Sequence, residues 1–91
     1  MEARASILIT GLVQGVFFRR EMTVLAGRLG ISGWVRNLPN GKVEALAEGD
    51  KGRLDELIRF CHVGPRGAVV RKVEVEWSDY LGEFRGFRIT K

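Results

Sequence analysis

The chain has one cysteine, one histidine, two prolines and three amide side chains among 91 residues, and no long apolar run. A lone cysteine cannot form an internal disulfide, and one thiol with one imidazole falls short of a zinc cluster of ordinary ligand spacing. A reducing interior, and so a cytoplasmic location, is expected. Met1-Glu2-Ala3-Arg4 leads into a short β-like run. Neither a secretion signal nor a membrane span is expected from that start. A fold of this size hides only about 60–65% of the surface its unfolded chain exposes, so residues 1–91 are read as a single domain.

Charge is abundant, and it is uneven. Fifteen basic and eleven acidic residues give +4, and eleven of the basic ones are arginine. Residues 1–45 hold six basic and three acidic side chains, against nine and eight in the remainder. The excess in the first half fits an anionic ligand there, either nucleic acid or a small phosphate compound; a merely soluble surface is the competing reading. Many arginines beside only Gln14, Asn37 and Asn40 as amides favour a heat-adapted source.

The pattern along the chain supplies the elements. Ala5–Thr10 is a β-branched run ending at Gly11, which predicts the first strand. From Phe18 to Leu29 the period becomes helical, with Met22, Leu25, Ala26 and Leu29 on one stripe and Gly30 as the stop. Strands are expected over 31–37 and 42–48, joined by Pro39-Asn40-Gly41, which has the residues a hairpin turn requires. In the second of these, Val43, Ala45 and Ala47 are expected to face the core, and Lys42, Glu44, Leu46 and Glu48 to face water.

Asp50 is placed to cap a second helix whose stripe is Leu54, Leu57, Ile58 and Cys61. A fourth strand starts at Val69 or Arg71 and ends at Trp77, and a short one closes the chain between Phe84 or Gly86 and Thr90. The order is β-α-β-β-α-β plus a C-terminal strand. That order predicts an α+β, ferredoxin-like sandwich: one mainly antiparallel sheet with both helices on one face.

The two helix starts differ. Gly15-Val16-Phe17-Phe18 offers no Ser, Thr, Asp or Asn to cap the first helix, yet Arg19 and Arg20 occupy its first turn, where the dipole disfavours cations. A loop with Gly15 for close approach, an open helix start and two arginines can bind a phosphate-sized anion. A water-capped helix with solvated arginines fits the same residues. Asn37, at the end of the second strand, either orients a water or serves the hairpin turn. Cys61 is read as core, His62 as a favourable charge at a helix end, and Trp34 and Trp77 as packing residues.

Two longer motifs carry a resemblance. Gly11-Leu-Val-Gln-Gly-Val-Phe-Phe-Arg19 is similar to the acylphosphatase signature G-x-V-Q-G-V-x-F-R, and Gly33-Trp-Val-Arg-Asn37-Leu-Pro-Asn-Gly41-Lys-Val43 resembles its second, G-W-V-x-N-x-x-x-G-x-V. The similarity spans practically the whole chain. It implies a small enzyme that hydrolyses carboxyl-phosphate anhydrides to a carboxylate and inorganic phosphate. Carried over by motif position, Arg19 would grip the phosphoryl group together with the loop Gln14, Gly15, Val16, Phe17, Phe18 and Arg19, and Asn37 would hold the attacking water.

The residues suit that chemistry. A carboxylate leaving group has a conjugate acid of pKa about 4, so no general acid is required. Charge stabilisation and placement of water suffice, and no metal or other cofactor is expected. A monomer without nucleic-acid or membrane partners is expected. An RNA-binding module shares the element order but needs exposed aromatics on its central strands; Arg85-Gly86-Phe87 is only a short echo of such a motif. A unit acting on carbamoyl phosphate, as in the domain fused to hydrogenase-maturation proteins, is the nearer alternative, and the end of the chain at Lys91 favours the free-standing enzyme.

Overall fold

A computed structural model describes all 91 residues. The elements are β1 (Glu2–Leu12), α1 (Phe18–Leu29), β2 (Ser32–Asn37), β3 (Val43–Asp50), α2 (Lys51–Val63), β4 (Val69–Ser78) and β5 (Phe87–Ile89). One sheet runs in the order β4-β1-β3-β2-β5, antiparallel except where β5 joins β2 in parallel. This is the expected ferredoxin-like arrangement.

Period-two alternation turns Ala3, Ala5, Ile7 and Ile9 of β1 and Val43, Ala45 and Ala47 of β3 toward the helices, where all are buried. The helices answer with their own stripes, Phe18, Met22 and Ala26 from α1 and Leu54, Leu57 and Cys61 from α2. α1 lies over β2 and β5, whereas α2 covers β1, β3 and β4. Cys61 is core as expected, and burial pushes its thiol pKa up to about 12.

Five local expectations need correction. β1 continues past Thr10 through a bulge, where Gly11 comes so close to β4 that a Cβ would stand 2.0 Å from the Val69 carbonyl oxygen. β3 starts at Val43 and runs to Asp50, because Lys42 is used in the turn: its N–H donates to Asn40 Oδ1 at 3.1 Å and its carbonyl accepts from Leu38 N–H at 2.8 Å. Trp77 does not pack inside; it is exposed, with the Lys51 ammonium 4.5 Å from its ring. β5 is shorter than expected, and residues 79–86 form an irregular strap across the sheet face opposite the helices.

That strap explains the fifth correction. Glu48, expected in water, is fully buried. Its carboxylate accepts the N–H groups of Leu81 at 2.7 Å, Gly82 at 3.4 Å and Glu83 at 3.3 Å, and Arg4 Nη1 at 3.4 Å. Arg4 also pairs with Glu83 at 2.6 Å and lies over the Phe84 ring. With four donors converging on it, the charge is satisfied away from solvent.

Candidate active site

The loop between β1 and α1 is held at both ends. Val13 is buried below it, and the Gln14 carboxamide donates to the carbonyls of Leu38 at 2.8 Å and Lys42 at 3.0 Å. The loop is thereby tied to the hairpin that follows Asn37. Gly15 has φ 76°, and Phe17, at φ 62°, is the only non-glycine residue with positive φ. For a bulky side chain that conformation costs roughly 1–2 kcal/mol. Backbone that alternates hand in this way forms a concavity of N–H groups suited to anions. The next residue fixes the helix start: the Phe18 ring is buried against Phe60, centroids 5.5 Å apart.

The helix starts are as different as expected. Phe17 is the N-cap of α1 and offers no side-chain acceptor; the first backbone bond runs from Glu21 N–H to Phe17 O at 3.0 Å. The earlier N–H groups lie outside the helical ladder. At α2, Asp50 Oδ2 accepts Arg53 N–H at 3.3 Å while Oδ1 accepts the N-terminal ammonium at 3.2 Å. The ammonium, and then the Arg53 amide, lower the Asp50 pKa.

Arg19 is half-buried in the first turn of α1; Arg20 is exposed, its guanidinium 6.0 Å from the centre of the Phe17 ring. Both line a recess of about 210 Å³ with Gly15, Phe17, Phe18 and Ile89. Two guanidiniums and the positive end of a helix dipole meet there, an arrangement that attracts a phosphate-sized anion.

The other expected site residues, Gln14, Val16 and Asn37, do not line this recess. Asn37 ends β2 opposite Val43, on the face that carries Val35, and is not one of the recess walls. Its Oδ1 is buried and receives no hydrogen bond from the protein. Its link to the loop runs through its neighbour Leu38, whose carbonyl Gln14 holds. Gln14 has its side chain engaged in that bracing, so only its backbone is free to meet a ligand. Val16 packs against the core. Ile89 escaped the sequence reading, since only the parallel pairing of β5 with β2 brings it to this recess.

A family model described as Acylphosphatase matches residues 5–89. The chain belongs to the acylphosphatase family. Among curated acylphosphatases, that of Pelotomaculum thermopropionicum is 49% identical over 87 residues, covering 96% of this chain and 95% of the relative. That of Aeropyrum pernix is 55% identical over 87 residues, covering 94% and 86%. The crystal structure of acylphosphatase from Bacillus subtilis superposes with a TM-score of 0.94 at 32% identity, covering 100% of both chains. Acylphosphatase membership makes this chain an enzyme of the hydrolase class. No helix is long and apolar enough to cross a membrane, and no three His, Cys, Asp or Glu side chains converge as metal ligands.

Proposed function

We propose that the chain hydrolyses acyl phosphates to a carboxylate and inorganic phosphate at the start of α1, without a metal. The observation that carries this reading is a helix N-terminus with no side-chain cap, entered through a strained residue and carrying Arg19 in its first turn. The phosphoryl oxygens take the place of the missing cap, bonded by the N–H groups of the loop from Gln14 to Arg19 and by the Arg19 fork. Asn37 Oδ1, an acceptor no protein group uses, holds a hydrogen of the attacking water.

The water oxygen bonds to phosphorus as the bond from phosphorus to the carboxyl oxygen breaks. The electron pair of that bond leaves with the carboxylate, and the water's proton passes to a phosphoryl oxygen. Charge on the transferring group is spread over oxygens already facing N–H donors and Arg19, so rate comes from placement and electrostatics. With its one thiol buried, the enzyme suits a reducing cytoplasm, and it acts as a monomeric unit of residues 1–91 on a small-molecule substrate, without nucleic-acid or membrane partners.

Benzoyl phosphate with excess EDTA is the test. Release of benzoate and phosphate in equal amounts is expected. No release with or without EDTA would overturn the activity, and release only without EDTA would overturn metal independence.

A further inference from the structure

The face of the sheet away from the helices carries a second recess, separate from the one at α1. The parallel register pairs Trp34 of β2 with Arg88 of β5, between the helix-facing pairs Gly33 with Phe87 and Val35 with Ile89. Trp34 and Arg88 therefore project side by side from the opposite face. Over them comes the strap 79–86, pinned at one end by Glu48 and Arg4 and at the other by Gly33 N–H donating to Gly86 O at 2.9 Å. This double anchorage sets Phe84 and Arg85 across from Trp34 and Arg88. The recess is open to solvent and measures about 380 Å³, with Glu83 and Thr90 also in its wall.

Charge distinguishes these two arginines from their neighbours. Arg4 is matched by Glu48 and Glu83, and Arg36 pairs with Glu44 at 2.7 Å while lying over the Trp34 ring at 5.2 Å. Neither Arg85 nor Arg88 forms an ion pair. The one carboxylate in the wall, Glu83, is held by Arg4, which it shares with Glu48. Two unpaired guanidinium forks and two aromatic rings in one recess match a planar ring system that bears a phosphate.

Size and surroundings narrow the ligand. A volume of about 380 Å³ lies at the low end for small-molecule sites and suits one nucleotide. A nucleic-acid strand continuing across this face would meet Glu44, Glu74 and Glu76, which line the neighbouring hollow with Ser6 and Leu8 and repel phosphates. We propose that this recess binds a nucleoside monophosphate, its base against Trp34 and Phe84 and its phosphate between Arg85 and Arg88. It shares no residue with the recess at α1, although Arg88 and Ile89, consecutive in β5, face one each.

The experiment titrates the full-length protein with adenosine monophosphate, following tryptophan fluorescence in a Trp77→Phe background so that Trp34 reports, with calorimetry on the unsubstituted protein alongside. Saturable quenching and binding heat are expected. The pair Arg85→Ala with Arg88→Ala, both exposed positions, should weaken binding at least about tenfold with benzoyl phosphate hydrolysis unchanged. Arg19→Ala should leave nucleotide binding intact. Three results would overturn the proposal: no saturation by either method at millimolar nucleotide; loss of binding in Arg19→Ala with retention in the arginine pair, which would put the nucleotide at α1; or equal affinity for ribose phosphate, which would remove the base. Much tighter binding of a short oligonucleotide would replace the mononucleotide with a nucleic-acid strand and overturn it too.

Discussion

α1 and α2 begin at corresponding places in the two βαβ halves, yet their starts are finished in opposite ways. At α2, Asp50 sits in an ordinary extended conformation and its carboxylate closes the helix with help from the N-terminal ammonium. At α1, the capping position is a phenylalanine in the left-handed region, followed by two arginines that the helix dipole disfavours. One start is complete within the chain; the other has no side-chain cap of its own, and the proposed phosphate would supply one. Local stability is given up at one of two equivalent sites, and the proposed function is placed there.

Substitutions can break or sharpen this contrast. The largest effect is expected for Arg19→Ala: kcat/KM for benzoyl phosphate should fall about a thousandfold, with inhibition by inorganic phosphate lost and melting temperature unchanged or raised. Arg19→Lys should recover only a small part, because a point charge does not reproduce the fork. Unchanged phosphate inhibition in either variant would remove Arg19 from the site. Asn37→Ala should lower kcat about a hundredfold while phosphate inhibition stays near its original value. Equal losses in both would make Asn37 a phosphate ligand.

The smallest catalytic effect belongs to the closed start. Asp50→Ala should lower the melting temperature at neutral pH and leave kcat/KM unchanged. The pKa of Asp50 is lower in the folded state, so its contribution is present above the ordinary carboxylate range and is lost as pH falls through and below it. Melting curves of the two proteins should converge in acid; a difference that persists there would mean the cap acts without its charge.

Much of this contrast was legible in the sequence. The stripe from Met22 to Leu29, the absence of a capping side chain before Phe18 and the availability of Asp50 are local facts, and the helix boundaries follow from them. What was hidden is non-local. Glu48 alternates like a solvent-facing residue, and only the strap folding back from residues 79–86 buries it. Gln14 looked like part of the anion loop; its hydrogen bonds to Leu38 and Lys42 need the hairpin in place. Nothing in the local pattern assigns φ 62° to Phe17, a residue type that avoids it. The recess at Trp34 likewise depends on the parallel pairing of β5, which a three-residue strand does not announce.

In the proposed reading the start of α1 is open to phosphate and the start of α2 is not. Backbone amide chemical shifts of an isotope-labelled sample, followed through a titration with inorganic phosphate, test it directly. Saturable shifts confined to Gly15 through Arg20, with those of Lys51 to Arg53 unmoved, are the predicted result. Shifts at both helix starts, or none at the first, would contradict it.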